Sequence, residues 1–409
     1  MSRGGRARAV FVSTSSIVWG AETSLLTTAR HLQRQGERVG LLARAPGFVE
    51  QWPGPARLAD GARLFAALAR TALLERPEAL VCCSLRLAAA FAPLRVLPRA
   101  VRPALVFDLH DYLPGAPGRR RMRLAMWWFD RVVAVSAFSA AQVSADHGAV
   151  LVLARPVEAG AGAGAAWEPR GRRVGVVGRL DADKRIEVAA EAVALLPDAA
   201  LVLRGASGMD EGYTERLRGW AHELLGERVL FEGRVPRERV VAGLACVVVA
   251  NEEEALGRTV AEAQLAGVPV VVPDRGGARE LVEDGVTGWT FRAGSPRSLA
   301  DAVRAVLDDP EGAAAVVARA REVAAVRHDP DRVAREYLRF AVSGPSARPL
   351  RALLRRAAGR VGERVAARPR SARRAGAHAR QEPAVPAPRP AGGAVPAPGD
   401  TRRDLHAPR

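Results

Sequence analysis

Cysteine is scarce in this chain of 409 residues: Cys82 and Cys83 are adjacent, Cys246 stands far off, and no disulfide framework can be written from three. That count points to a reducing compartment. No uncharged apolar run reaches the 18 or so residues a membrane-spanning helix needs, so a span is excluded. Lysine is almost missing: of 61 basic residues only Lys184 is not arginine. Asparagine occurs once, at Asn251, and isoleucine only at Ile17 and Ile186. A bias spread over the whole chain reads as drift in codon usage, so the exceptions carry information.

What is present is globular. Hydrophobic residues make up 48% and charged residues 26%, and the length suits two domains plus an appendage. The formal charge of +17 is unevenly placed, because residues 343–409 hold fifteen Arg against four acids and so carry +11 of it. The remainder is mildly basic, which speaks against nucleic acid as the partner.

Short apolar runs alternate with helical patterns along the chain. The first series reads as strand 8–13, helix 22–35, strand 37–43, helix 60–75, and strands 79–83, 104–109 and 131–135. The basic start followed by an apolar stretch could be a signal peptide, but hydroxyl residues at 13–16 interrupt it, and a first strand is expected instead. Residues 159–166, rich in Gly and Ala, read as a linker. The second series follows: strand 173–177, helix 185–196, strand 200–204, helix 212–225, strands 228–231 and 246–250, helix 258–266, strand 268–272, and helices from 296 onward. This alternation means α/β architecture with parallel sheets, two doubly wound Rossmann-like domains facing across a cleft, with ligands beyond the carboxyl ends of the strands. The expected division is 1–165 for the first domain, 171–325 for the second, a helix at 326–342 packing back on the first, and a basic tail at 343–409. Within the tail, residues 350–366 could form a basic helix, and residues 381–400, rich in Pro, Ala and Gly, are expected to be disordered.

The second domain carries the densest chemical signal. A strand runs into Gly178-Arg179-Leu180-Asp181-Ala182-Asp183-Lys184, which puts a guanidinium and an ammonium at a strand's carboxyl end, a pairing suited to a diphosphate. The next strand end gives Asn251-Glu252-Glu253-Glu254, then Ala255-Leu256-Gly257-Arg258-Thr259 and a helix bearing Glu262. Two carboxylates so spaced can both face the cleft as acceptors for hydroxyls of a sugar and a ribose. A third strand opens into Pro273-Asp274-Arg275-Gly276-Gly277, whose glycines let backbone amides approach an anion.

The segment from Gly178 to Phe291 resembles the donor-binding domain of glycosyltransferase family four, retaining enzymes of the GT-B fold. GRLDADK matches that family's G-R-x4-K, EALGRTVAE its E-x7-E, and AGVPVVVPDRGGARELVEDGVTGW the stretch after it. More weakly, Trp19-Gly20-Ala21-Glu22 resembles the N-terminal Gly-Gly loop, with Trp19 where the first Gly is usual; Phe107-Asp108-Leu109-His110-Asp111 resembles the strand-end histidine, and Ala134-Val135-Ser136 the next strand end. About 320 residues are covered, and the tail is not. The resemblance implies transfer of a sugar from a nucleotide diphosphate sugar with retention of configuration and no obligatory metal or other cofactor. Arg179 and Lys184 would take the metal's place, Glu262 would hold the ribose, Glu254 the donor sugar, and His110 would position acceptor or donor. Gly20, Gly257, Arg258 and Thr259 would complete the donor site.

Each of these residues has an ordinary alternative, as a solvated acid, a surface cation or a histidine at a strand end. Asp181 and Asp183 spell a D-x-D, but they lie between the two phosphate-binding cations, and no metal is expected there. Arg119-Arg120-Arg121-Met122-Arg123 runs into Met126-Trp127-Trp128-Phe129, a helix whose aromatics either pack in the core or rest on anionic lipid. With the tail, it makes an anionic membrane surface a candidate partner and places the protein in the cytoplasm, peripheral on the inner face of the membrane. The acceptor expected from this is lipid-linked or part of a cell-envelope glycan. Competing classes are a GT-B relative that epimerises or phosphorolyses sugars, and a non-catalytic basic protein binding membrane or nucleic acid. The position of the charge argues against the latter, and a phosphorylase's cofactor lysine against the former, since the one lysine is already assigned.

Overall fold

The structure is a computed structural model that describes residues 7–345, apart from 16–17, 19, 144–146, 159–166, 168–170 and 209. The expected linker at 159–166 and the tail features at 350–366 and 381–400 lie outside the described residues.

In a parallel sheet both faces are covered, so a strand can be apolar at every position. That is why the sequence shows solid apolar runs: the first, second and fourth strands bury every residue. The first lobe runs β1 (Ala9–Ser13), α1 (Gly20–Arg34), β2 (Val39–Ala43), α2 (Pro46–Gln51), β3 (Ala56–Leu58), α3 (Gly61–Arg70), β4 (Ala79–Cys82), α4 (Ala92–Val96), β5 (Ala104–Leu109), α5 (Gly115–Met126), β6 (Arg131–Ala134), α6 (Ala137–Ala140) and β7 (Val150–Val152). Its seven parallel strands are ordered β3-β2-β1-β4-β5-β6-β7. The second lobe runs β8 (Arg173–Val177), α7 (Ile186–Ala194), β9 (Ala200–Arg204), α8 (Glu211–Leu225), β10 (Val229–Gly233), β11 (Cys246–Val248), α9 (Arg258–Ala266), β12 (Val270–Pro273), β13 (Trp289–Phe291), α10 (Pro296–Asp308), α11 (Pro310–Arg327) and α12 (Pro330–Ser343). Its six parallel strands are ordered β10-β9-β8-β11-β12-β13. In both sheets the strand order reverses beside the first strand, between β1 and β4 and between β8 and β11, and those are the crevices where doubly wound sheets hold ligands.

Sequence reading lacks β3, β7 and β13. All three have three residues, sit at the edge of a sheet and are partly exposed; β3 and β13 carry no apolar run, whereas β7 lies within the apolar run 149–154 and is passed over all the same. The expected strand at 246–250 ends at Val248, and the one at 268–272 is shifted to Val270–Pro273.

The last helix belongs by packing to the first lobe. Asp329 caps α12 by accepting from the Arg332 amide, Pro330 opens it, and its buried face is Val333, Ala334, Tyr337, Leu338 and Ala341, spaced for one helical stripe. These residues share a core with Phe11 and Leu25. At its far end Arg131 donates through Nη1 to the Ala341 carbonyl at 2.6 Å and through Nε to that of Gly344 at 2.8 Å, filling carbonyls that a helix terminus leaves open. The returning chain runs beside the outgoing one: the Val157 amide donates to the His328 carbonyl at 3.2 Å, and His328 Nδ1 donates to the Arg155 carbonyl at 2.8 Å.

Candidate functional site

A cavity of about 400 Å³ opens at the β8/β11 crevice, and its walls include Gly20, Arg179, Lys184, Arg234, Glu254, Gly257, Arg258 and Thr259. Seven of the residues singled out in the sequence therefore meet in one place. The crevice depends on close backbone approach: a Cβ on Gly205, beyond β9, would lie 1.7 Å from the Gly178 carbonyl oxygen, and Gly205 has φ +157°. Only glycine fits there. Gly257, at φ +84°, turns the chain into α9, and Thr259 donates to the Val177 carbonyl at 3.5 Å, tying the start of that helix to the end of β8.

Lys184 Nζ donates to Glu254 Oε2 at 2.7 Å, so the ammonium after β8 and the carboxylate after β11 face each other across the crevice. Asn251, buried at the end of β11, holds that loop: its Oδ1 accepts from the Glu253 amide at 2.9 Å and its Nδ2 lies 3.4 Å from Glu254 Oε2. Arg179 pairs with Asp181. Asp183 lies 3.7 Å from Lys184 and is half exposed, so both acids of the D-x-D stand beside cations. Among the described residues no group of three His, Cys, Asp or Glu side chains is placed to hold a metal ion.

Glu262 is one turn further into α9. It accepts from Arg258 Nε at 2.9 Å, and Arg237 Nη2 lies 3.9 Å away. Arg258 also reaches the first lobe, donating through Nη1 to Ser24 Oγ at 2.7 Å and toward the Pro156 carbonyl at 3.4 Å. Burial pushes its guanidinium pKa down, with the Glu262 charge opposing. Two further links join the lobes at the strand ends: Ser136 Oγ donates to the Ala255 carbonyl at 2.5 Å, and the Glu280 carboxylate accepts from the amides of Ala137 and Phe138 at 2.8 and 2.6 Å. Sequence reading missed Asn251, Ser24, Arg237 and Glu280 as parts of the site. For Asn251 alone a signal existed, its being the one asparagine.

His110 is not brought into the cavity wall. It follows β5, with Nδ1 3.9 Å from Asp108 Oδ2 and Nε2 3.8 Å from Asp111 Oδ2, both too long for hydrogen bonds. Among the described residues Nδ1 and Asp108 Oδ2 are buried without hydrogen-bond partners, and Asp108 is held by buried Arg155, which lies over the Tyr337 ring of α12 at 5.8 Å. Trp19 lies outside the described residues, while Gly20 begins α1 at the cavity rim.

Comparison with known proteins adds to this geometry. The family model described as glycosyl transferases group 1 matches residues 165–323. A D-inositol 3-phosphate glycosyltransferase of Mycolicibacterium gilvum is 36% identical over 138 residues, 32% of this chain and 31% of that protein. Its counterpart from Xylanimonas cellulosilytica is 33% identical over 180 residues, 42% of this chain and 43% of the relative. The chain thus spans about a third to two fifths of the length of these curated relatives. In three dimensions it is similar to the Anabaena protein HepE solved in complex with UDP-glucose, with a TM-score of 0.69 and 24% identity over 81% of this chain and 98% of that one. It is also similar to a sucrose-phosphate synthase from Thermosynechococcus elongatus, with a TM-score of 0.68 and 18% identity over 81% of this chain and 97% of the other. The fold is α/β of the GT-B type.

Proposed function

We propose that this protein is a retaining glycosyltransferase that moves a sugar from a nucleotide diphosphate sugar to an acceptor hydroxyl. The observation that supports the reading is the convergence of Arg179, Lys184 and Glu254 on one cavity at the β8/β11 crevice, two cations and a carboxylate of a kind that suits a diphosphate and a sugar. The matched family model and the relatives named above support the same class.

When the bond between the anomeric carbon and the leaving phosphate oxygen breaks, negative charge grows on the diphosphate. Cations already in place stabilise that charge most in the transition state, because they need no reorganisation. Arg179 and Lys184 fill this role, with no metal called for. Donor binding draws Lys184 from Glu254 toward phosphate, and Glu254 is then free to accept from the donor sugar's hydroxyls and to favour the oxocarbenium-like centre. Glu262 takes the ribose hydroxyls; Gly20, Gly257, Arg258 and Thr259 line the donor pocket, and His110 approaches from the first lobe to orient acceptor or donor. The acceptor oxygen bonds to the anomeric carbon from the face the phosphate leaves, and its proton passes to the departing phosphate oxygen.

The acceptor is a lipid-linked or cell-envelope hydroxyl, reached from the cytoplasmic face of the membrane; among the described residues no helix is long and apolar enough to cross one. D-Inositol 3-phosphate, named for the relatives, belongs in the acceptor screen. The test is a thermal-shift series with UDP, GDP, ADP and dTDP sugars, in which a donor at 100 times its Kd stabilises by about 2.7 kcal/mol, followed by NMR of the product's anomeric configuration. Stabilisation by one donor and a retained configuration are expected. No shift with any nucleotide sugar overturns the enzyme, and an inverted product overturns retention.

A further inference from the structure

We infer that α5, with the tryptophan corner that follows it, is the surface on which this protein rests against an anionic lipid bilayer. The inference deepens the membrane-side reading above, and its test uses no donor or acceptor.

The inward side of α5 is settled by packing. Met122, Met126 and Phe129 are fully buried, and Phe129 meets Phe91 and Phe107 with ring centroids 5.3 and 5.0 Å apart. The outward side is unusual in two respects at once. Arg119, Arg120, Arg121 and Arg123 are all exposed, and among the described residues none of the four has a carboxylate within ion-pair distance, whereas many arginines of this chain are paired. In their midst Leu124 is 62% exposed, Trp127 39% and Trp128 37%. Leu124 is four residues from both Arg120 and Trp128 and three from both Arg121 and Trp127, so helical geometry sets these side chains on one face. Beyond the helix, Arg95 binds Asp130 at 2.7 Å and Arg99 lies 3.9 Å from the same carboxylate, two more guanidiniums close to the residue that follows the tryptophan corner.

An apolar centre of Leu and Trp ringed by unpaired guanidiniums fits a bilayer in both of its layers. Indole rings favour the boundary between headgroup and acyl chain, and guanidinium forks match lipid phosphates. An acidic protein would answer the charges yet leave no specific reason for two adjacent half-exposed tryptophans. β5 ends at Leu109 and α5 begins at Gly115, so the turn between them carries His110 and joins this face to the end of the sheet where the lobes meet. The helix runs back from there to the tryptophan corner at the other end of the sheet, where Asp130 accepts from the Leu105 amide at the start of β5.

The arginine-rich segment 343–409 holds no tryptophan, which separates its contribution from that of α5. The full-length protein is mixed with phosphatidylcholine vesicles, with and without phosphatidylglycerol, containing brominated acyl chains, and tryptophan quenching is recorded. Quenching is expected with the anionic vesicles and not with the neutral ones, and Trp127→Phe with Trp128→Phe should remove most of it while leaving sedimentation nearly intact. Replacing Arg119, Arg120, Arg121 and Arg123 by Gln should weaken vesicle binding by at least about tenfold at unchanged melting temperature, since cations near such a surface are held by its negative potential. Vesicle binding without quenching, quenching that survives the double Phe variant, or equal binding to neutral lipid overturns the proposal. So does retention on RNA or an acidic protein with no vesicle binding.

Discussion

Lys184 is the sole ammonium in a chain of sixty guanidiniums, and its nitrogen sits against Glu254 at 2.7 Å. A compact point charge on a flexible stem can leave a carboxylate and follow a diphosphate as the bond breaks, whereas a planar guanidinium needs room and a forked acceptor. Lys184→Arg is expected to lower kcat/KM at least about tenfold despite its unchanged charge, and Lys184→Ala to cost on the order of 3 kcal/mol of transition-state stabilisation, read from steady-state kinetics. Near wild-type turnover in the Arg variant would mean that charge alone suffices. The two carboxylates of the site should separate kinetically. Glu254→Gln lowers kcat by about tenfold or more with nucleotide affinity nearly unchanged, while Glu262→Gln raises the nucleotide Kd and spares kcat, as calorimetry with the nucleoside diphosphate would report. Because Lys184 and Glu254 touch, the double variant should be less damaged than the sum of the singles. These residues were legible in the sequence because each lies at a fixed offset from a strand end. The partners of Arg258 in the first lobe were not, since Ser24 and the Pro156 carbonyl come from remote segments and nothing in either local pattern marks them.

At the scale of elements, strands with two covered faces announce themselves and short edge strands poor in apolar residues do not, which is why β3 and β13 escaped; β7 lies in the apolar run 149–154 and was legible though not read. The closing helix was expected over 326–342 and begins at Pro330, capped by Asp329; what secures its approach was not legible. His328, between α11 and α12, is 1% exposed, and burial pushes its pKa down to about 4. Its Nδ1 proton is committed to the Arg155 carbonyl, and among the described residues Nε2 has no partner, so a second proton would be buried unpaired. An unfolded histidine titrates near 6.5. The unfolded chain therefore takes up the proton first as pH falls: this contribution to stability is full above roughly pH 6.5 and is lost as pH drops toward the folded value. Urea unfolding should give a stability about 2 kcal/mol lower at pH 5 than at pH 7 from this group, and His328→Asn should remove that share of the slope. An unchanged slope in the variant would place the pH dependence on other groups, of which buried His147, also pushed down by burial, is the first to examine. Arg155 answers to a different rule. It neutralises Asp108 in the core, and Arg155→Met strands that carboxylate at a cost of roughly 3–5 kcal/mol, measurable as a lower urea midpoint.

For the molecule as a whole, the lobes meet at their strand ends through the packing of Val135 on the second lobe's core and through polar contacts, of which the Glu280 carboxylate on the amides that open α6 and Arg258 on Ser24 involve a charged partner. Charged acceptors make hydrogen bonds about twice as strong as neutral ones. Glu280→Gln should thus shift the pair toward a more open arrangement, seen as a larger radius of gyration in small-angle scattering, and an unchanged radius would mean that Ser136 and Arg258 hold the lobes without it. The chain also crosses between the lobes twice, and the second crossing delivers α12 into the core around Phe11. A chain severed anywhere in 159–170 would therefore not yield two self-sufficient pieces. The N-terminal fragment would lack the helix that covers its own sheet, and the C-terminal fragment would carry that helix with nothing to bury it against. Each would complete the other, so the nicked protein should elute as one particle, and the two halves expressed apart should behave as a split protein that assembles only when both are present.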